Sequence, residues 1–138
     1  MCCGPCAMFP IRELLEGGGE VTLFFYNPNI HPLVEWERRF DNAKRVAEHY
    51  RVPLIVDDRS HSYEWRAREN DGDDRCHFCY ETRLARVVRE AAANGFDAVS
   101  STLLVSPYQK REIILEVGAK LSTEAGISFI PYDWRDGF

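Results

Sequence analysis

The feature that most constrains the fold of this chain is a regular alternation between amphipathic segments and short apolar runs. In the amphipathic segments, apolar residues recur at three- and four-residue steps, which is the spacing of one helix face. The short runs are rich in β-branched and aromatic residues, as strands are. Helices are predicted at 7–16, 33–50, 76–97 and 109–126, and strands at 21–26, 52–58, 98–106 and 127–133.

Strands that alternate with helices through short connections are typical of an α/β protein. We therefore predict one domain over residues 1–138, with a Rossmann-like, mostly parallel sheet flanked by helices. A chain of this length can bury one core but not two. Ligands of such sheets bind at the carboxyl ends of the strands. We expect the functional site there, where polar residues follow the apolar runs.

Composition excludes several classes of protein and bears on the partner. The apolar and charged fractions, 45% and 28%, are ordinary for a globular protein. No stretch approaches the roughly 18 apolar residues of a membrane helix, and the start lacks the pattern of a secretory signal. We therefore expect a cytoplasmic protein without a membrane partner. Because the net charge is −5, a nucleic-acid partner would have to meet a local basic patch.

Five cysteines lie in two clusters that are far apart in the sequence. Cys2, Cys3 and Cys6 stand in "MCCGPC", and Cys76 and Cys79 stand at the predicted start of a helix. There the helix dipole and unpaired backbone N–H groups favour the thiolate, which is the form that binds metal. In a reducing compartment such clusters are typical of metal or redox sites rather than of structural disulfides.

The spacing leaves several kinds of site open. A structural zinc site uses four thiolates, an iron–sulfur cluster also uses thiolates, and a thioredoxin-like dithiol needs a single C-x-x-C. Incidental burial of the cysteines is the remaining alternative. Zinc sites are the commoner kind of site with this cysteine spacing. One zinc ion needs only four thiolates, however, so the fifth cysteine favours an iron–sulfur cluster or two metal ions.

Polar residues at three strand ends have equally open roles. They are Asn27, Asn29, His31, Asp57, Asp58 and Ser106. The first three fit a rigid turn between prolines, and the aspartates fit a metal ligand, an acid or a solvated strand end. Ser106 precedes a proline and fits either an anion-binding helix start or an ordinary N-cap. The nucleotide-binding and hydrolase signatures with glycine-rich patterns are not in the sequence.

Blocks spanning nearly the whole chain resemble one family. They are "CCGPC", "LFFYNPNIHP", "RCHFCYETRL", "GFDAVSSTLLVSPYQKREII" and "GISFIPYDWRDGF". In this order they resemble the metal-dependent epoxyqueuosine reductases of the QueH type. The resemblance implies an iron–sulfur-dependent oxidoreductase that reduces the epoxide of epoxyqueuosine at the tRNA wobble position to give queuosine, a two-electron deoxygenation. A structural zinc-binding adaptor and a thiol–disulfide oxidoreductase are the alternatives.

The resemblance also implies a cofactor and a set of site residues. A 4Fe–4S cluster and an additional mononuclear metal ion, iron or zinc, are expected on Cys2, Cys3, Cys6, Cys76, Cys79 and Asp58. His31 and Tyr26 are the expected proton donors. Asn27, Asn29, Ser106 and Gln109 are expected to bind the modified nucleoside.

The expected partners are a tRNA with epoxyqueuosine in its anticodon loop and an external electron donor of the flavodoxin or ferredoxin type. The residues expected to stack on the base are Trp65, Tyr80 and Trp134. The expected basic patch consists of Arg75, Arg83, Arg86, Lys110 and Arg111. Family members have a short strand before the double cysteine and a tail after the "DWRDGF" block, and we expect this chain to be without both.

Overall fold

The computed structural model describes residues 1–2, 4–59 and 73–138, without the side chains of residues 73–75 and 137. The α-helices are α1 (Gly4–Glu16), α2 (Leu33–Tyr50), α3 (Asp73–Ala93) and α4 (Arg111–Ala125). The strands are β1 (Leu23–Tyr26), β2 (Leu54–Asp57), β3 (Ala98–Val99) and β4 (Ser128–Phe129). Two 3₁₀ helices cover Thr102–Val105 and Arg135–Gly137. No helix in the described part of the chain is long and apolar enough to cross a membrane.

The described strands form two parallel pairs. β1 lies beside β2 with Tyr26 opposite Asp57, and β3 lies beside β4 with Val99 opposite Phe129. β1 and β3 both line a cavity of about 890 Å³. The predicted α/β class with parallel strands is therefore confirmed, and within the described residues the strands form two pairs rather than one continuous sheet.

Helix α3 connects the two pairs because it contacts both β1 and β3. Its buried Leu84 belongs to an apolar cluster with Leu104 of the first 3₁₀ helix and Ile114 of α4. One turn further along α3, Val88 packs in a second cluster with Val99 of β3. The three- and four-residue spacing that predicted this helix is thus the spacing of its buried side.

Helix α1 begins earlier than predicted. It starts at Gly4, so Pro10 lies inside the helix rather than in its first turn. An interior proline removes one helix hydrogen bond, at a cost of about 3 kcal/mol. Burial opposes this cost, because Ala7 and Ile11 on the same helix pack against Val46 of α2. The predicted start of this helix at residue 7 is therefore three residues too late, and tertiary packing is the reason.

The predicted strand 98–106 is a strand only at Ala98–Val99. The following "TLLV" is a 3₁₀ helix, and the side chain of Ser101 caps it by accepting a hydrogen bond from the Leu103 N–H at 3.2 Å. Leu103, Leu104 and Val105 are all buried. A strand would turn alternate residues to opposite faces, whereas this tight turn sends three consecutive apolar side chains into the core.

Helix α4 begins at Arg111 and not at the Ser106–Pro107 step. The Ser106 hydroxyl accepts a hydrogen bond from the Tyr108 N–H at 3.2 Å and closes a local turn. Serine side chains compete for backbone donors in this way. Ser106 is therefore not the N-cap of α4.

Candidate metal and substrate site

The first two residues are fixed at the carboxyl ends of strands from both pairs. The Met1 ammonium group donates to the Phe24 carbonyl at 2.7 Å, and Asn27 Nδ2 donates to the Met1 carbonyl at 2.9 Å. The Cys2 N–H donates to Thr102 Oγ1 at 3.3 Å. Asn27 directly follows β1, and Thr102 lies shortly after β3. The first cysteine segment therefore lies where ligands of parallel sheets bind.

The second cysteine pair joins the first through an arginine. Cys76 and Cys79 lie in the first two turns of α3, and Arg83 lies one turn further on. Arg83 Nη1 donates to Cys79 Sγ at 3.8 Å, while its Nη2 donates to Asn27 Oδ1 at 2.7 Å. Cys2 and Cys76 pack against the same apolar cluster. Two segments remote in sequence thus meet at one end of the fold.

Asn27 holds this junction together. Its side chain is 0% exposed, and both of its polar atoms are used, one by the Met1 carbonyl and one by Arg83. A buried amide is tolerated when its donors and acceptor are satisfied. Asn27 is therefore a structural link between β1, the N-terminal segment and α3, and its contact with a substrate stays a prediction.

A cavity of about 400 Å³ opens beside the first cysteine segment. Cys2 and Cys6 line it together with Ser106 and Gln109, two of the residues predicted to bind the substrate. The structure thus brings two predicted metal ligands and two predicted substrate residues to one space, whereas Cys76 and Cys79 do not line this cavity.

The loop before α4 is anchored by Tyr80 of α3. The Tyr80 hydroxyl donates to Gln109 Oε1 at 2.7 Å and accepts from the Lys110 N–H at 3.1 Å. Burial raises the pKa of the Tyr80 phenol, and the nearby Cys76 and Cys79 act in the same direction. Tyr80 therefore stays protonated at neutral pH and keeps donating to Gln109.

The predicted stacking residues are not surface rings. Tyr80 is 4% exposed and Trp134 is 3% exposed, because both belong to the apolar cluster around α3 and α4. Neither presents a ring face to a nucleobase, so the expectation for these two was wrong. Trp65 lies outside the described residues.

The other predicted site residues do not line the cavity of about 400 Å³ that contains Cys2 and Cys6, which we call the cysteine cavity. Tyr26 is buried and lines the larger cavity between the strand pairs. His31 is exposed, with its Nδ1 3.1 Å from the Asn29 carbonyl oxygen, and Asp58 is exposed after β2. Asn29 Oδ1 is buried and has no hydrogen-bond partner within the described residues. Cys3, another predicted ligand, lies outside the described residues.

Asp57, the last residue of β2, carries a buried carboxylate. It accepts hydrogen bonds from Arg59 Nη2 at 2.5 Å and from Arg86 Nε at 2.9 Å. The Arg59 side chain, together with Arg86, holds the pKa of Asp57 well below its usual range. Asp57 therefore links β2 to α3 as an anion.

Three members of the predicted basic patch make contacts within the protein. Arg83 contacts Asn27 and Cys79, and Arg86 binds Asp57 and Glu90. Arg111 donates to the backbone carbonyls of residues 131 and 132. The Arg75 side chain is not among those described. These contacts fix the three side chains within the fold, and their contact with RNA stays a prediction.

Sequence reasoning missed the contribution of α2 to the cysteine cavity. Arg38, Arg39 and Asn42 line it, as does Glu35. These residues belong to the polar stripe of an amphipathic helix, which by pattern alone is a solvated face. Only the packing of α2 against α1 turns part of that stripe toward the cysteines.

The donor set agrees with the implied cofactor chemistry. Cys2, Cys6, Cys76 and Cys79 are all partly buried, and thiolates are the ligands of zinc and of iron–sulfur clusters. The Arg83 guanidinium supplies a positive charge beside Cys79, which offsets thiolate charge. In the part of the chain that is described, no three His, Cys, Asp or Glu side chains lie close enough to hold a metal ion.

The sequence profile of one family, described as "Epoxyqueuosine reductase QueH", matches residues 1–138. The chain belongs to this family. Relatives of the same name include proteins of Dehalococcoides mccartyi, 30% identical over 135 residues, Acinetobacter baylyi, 34% over 140, and Streptococcus pyogenes, 28% over 146. The matches cover 97, 97 and 98% of this chain and 74, 64 and 57% of the relatives.

Membership of the QueH family confirms the resemblance seen in the five sequence blocks. It also confirms the predicted class of protein, since the QueH relatives are named as reductases and are therefore oxidoreductases. The chain spans between 57 and 74% of the length of the three relatives.

Proposed function

We propose that this chain reduces the epoxide of epoxyqueuosine in a tRNA anticodon loop. The epoxide takes up two electrons and two protons, both C–O bonds break, and an alkene and water are formed. One observation carries this proposal beyond family membership. The first cysteine segment lies at the carboxyl ends of β1 and β3 and lines a cavity together with Ser106 and Gln109, and Arg83 links Cys79 to Asn27, which binds the Met1 carbonyl next to Cys2.

We further propose that the chain binds a 4Fe–4S cluster and an additional mononuclear metal ion, iron or zinc. The ligands would be Cys2, Cys3, Cys6, Cys76, Cys79 and Asp58. When bound, these groups supply single electrons and a Lewis acid for an epoxide oxygen. The donor chemistry of the partly buried cysteines supports this assignment.

Arg83 and Asn27 position the second cysteine pair in this mechanism. The Arg83 guanidinium donates a hydrogen bond to Cys79 Sγ at 3.8 Å and so holds this side chain in position. Asn27 holds Arg83 in place at 2.7 Å and at the same time holds the Met1 carbonyl, next to Cys2. These hydrogen bonds fix the positions of the two cysteine segments relative to each other.

Ser106 and Gln109 bind the nucleoside in this mechanism. Gln109 Oε1 accepts from Tyr80, which leaves the amide N–H groups of Gln109 to donate to a sugar or base oxygen. An anticodon base can be splayed out of its loop, and this makes it accessible to a cavity of about 400 Å³. His31 and Tyr26 remain the proposed proton donors, and an external flavodoxin or ferredoxin the proposed electron donor.

The test is the iron, acid-labile sulfide and zinc content of protein purified without oxygen. We expect about four or five irons and about four sulfides per chain, and reduction of epoxyqueuosine-containing tRNA by this protein with a chemical reductant. Zinc without sulfide would instead indicate a structural zinc-binding adaptor. A metal-free protein with a titratable disulfide would indicate a thiol–disulfide oxidoreductase.

Cys76→Ser should lose most of its sulfide and its turnover, because one ligand of the cluster is removed. Glu81→Gln is the matched control, since Glu81 is exposed on α3 and lies 3.4 Å from His77 Nδ1, with no other ion pair among the residues that the structure describes. This control should keep both sulfide and turnover. A normal reduction rate in Cys76→Ser would contradict the proposal.

A further inference from the structure

An RNA partner needs positive charge near the site. The net charge is −5, and Arg83, Arg86 and Arg111 are engaged in contacts within the protein. RNA phosphates are recognised chiefly by Lys and Arg side chains that reach the backbone. Cations on the rim of the cavity that Cys2 and Cys6 line would lie nearest to the phosphates of a nucleotide that enters it.

The α2 arginines meet this requirement. Arg38 and Arg39 both line the cavity that contains Cys2 and Cys6. Their side chains are 71% and 38% exposed, so their charges are accessible from solvent. A nucleoside that enters this cavity remains attached to its phosphates, which must stay at the rim. The geometry therefore brings positive charge to the place where substrate phosphate has to be.

We propose that Arg38 and Arg39 form the phosphate-binding element for the RNA backbone beside the nucleotide that enters the cysteine cavity. This inference rests on the proposed function, because it assumes an RNA substrate. Guanidinium groups present several N–H donors in a planar fork that matches two phosphate oxygens. Two adjacent arginines on one helix can therefore bind one phosphate together or two successive phosphates.

Glu35 gives the proposal its sharpest test. Its carboxylate accepts from Arg38 Nη2 at 2.6 Å and from Arg39 Nε at 2.8 Å, so one anion orients both cations. The three groups together keep one net positive charge. A phosphate that approaches must compete with this carboxylate and is repelled by it. Removing the Glu35 charge should therefore strengthen RNA binding, although it breaks two ion pairs.

A purely structural role predicts a different result. Ion pairs between exposed side chains within one helix contribute little to stability. If Glu35 only stabilised α2 through its ion pairs with Arg38 and Arg39, its removal would leave RNA affinity unchanged, or would lower it because this part of the helix unfolds locally. An increase in RNA affinity on removal of the Glu35 charge therefore indicates a phosphate site, whereas no change or a decrease indicates that Glu35 only stabilises the helix.

The experiment is fluorescence anisotropy with the intact protein and two RNA stem-loops, one with epoxyqueuosine in the loop and one unmodified, over a range of salt concentrations. Arg38→Gln and Arg39→Gln should each weaken binding on the order of tenfold at low salt and reduce the slope of log affinity against log salt by about 1. Both stem-loops should lose affinity alike, since phosphates carry no sequence information. Glu35→Gln should bind both more tightly than wild type.

Arg89→Gln is the matched control, because Arg89 is exposed on α3 and lines neither of the two cavities described above. It removes the same charge and should leave affinity and slope nearly unchanged. Arg38→Lys and Arg39→Lys keep the charge and should retain the wild-type slope. Thermal unfolding of each variant checks that the fold is intact.

Wild-type salt slopes in both glutamine variants would overturn the phosphate site, provided that the wild type binds RNA. The same holds if Glu35→Gln leaves binding unchanged, or weakens it without loss of fold. Failure of the wild type to bind either stem-loop would overturn the proposed RNA substrate itself, and this phosphate site with it.

Discussion

At the scale of single residues, Asp57 illustrates how one carboxylate is stabilised by its neighbours. It is buried at the end of β2, and Arg59 and Arg86 donate hydrogen bonds to it. These arginines hold its pKa well below the usual range. A carboxyl group whose pKa is lowered by folding stabilises the folded state above its unfolded pKa, which is about 3.9. That stabilisation is lost as the pH falls.

Asp57→Asn should therefore lower the free energy of unfolding at pH 7 by about 1–3 kcal/mol, because a buried charged acceptor is lost. The difference from wild type should shrink between about pH 5 and pH 2, where this carboxyl group becomes protonated in the unfolded chain while it stays ionised in the folded protein. Urea unfolding of the metal-free protein from pH 7 down to pH 2 measures the loss of stability at neutral pH and its decrease as the pH falls. Asp41→Asn, on the exposed face of α2, should change stability by less than about 0.5 kcal/mol. A difference that stays constant with pH would contradict the role given to Asp57.

At the scale of elements, the approach of α1 to α2 positions the first cysteine segment. Gly4 is the first residue of α1, and a Cβ built there would lie 2.9 Å from the backbone oxygen of Asn42 in α2. Asn42 also lines the cysteine cavity. The two helices can pack this closely only because residue 4 has no side chain.

Gly4→Ala should separate the two helices and destabilise the fold by about 1–3 kcal/mol. Without the clash, the same change would stabilise a helix by up to about 1 kcal/mol. Gly17→Ala is the control, since its Cβ would meet the nearest atom at 3.4 Å, an ordinary contact. Chemical denaturation gives both values. A Gly4→Ala variant as stable as wild type would mean that the helices do not meet at this point.

At the scale of the whole molecule, α3 joins the two strand pairs, and we expect them to unfold as one cooperative unit. It contacts β1 and β3 and packs along α4. Arg86 of α3 binds Asp57 at the end of β2, and Val88 packs with Val99 in β3. The same helix carries Cys76 and Cys79. Stability and site are thus coupled through one element.

Leu84→Ala in α3 should cost about 2–5 kcal/mol, the usual range for a buried leucine. Hydrogen exchange should show that both strand pairs lose protection together. The reporters are the Leu23 amide, bonded to the Pro53 carbonyl, and the Ile130 amide, bonded to the Val99 carbonyl. Loss of protection at Ile130 alone would mean that the two pairs unfold independently. Ala92→Gly, on the exposed face of α3, is the control and should affect both amides only slightly.

Much of the fold was predictable because it depends on local periodicity. The prediction of a helix at 33–50 coincides with α2. Gly95, shortly after the end of α3, has the positive φ of 76° that glycine tolerates. The predictions failed where tertiary burial outweighs local preference. Pro10 inside α1 and the 3₁₀ helix at Thr102–Val105 are the two examples.

The sequence by itself determined the α/β class, the two cysteine clusters and membership of the QueH family, because these depend on residue spacing and on blocks of identity along the chain. Only the tertiary structure decided which side chains meet. It joined Cys79 to Asn27 through Arg83, and it turned Arg38 and Arg39 toward the cysteine cavity. Such contacts join residues far apart in the chain, and their geometry follows from helix packing, which no local pattern encodes.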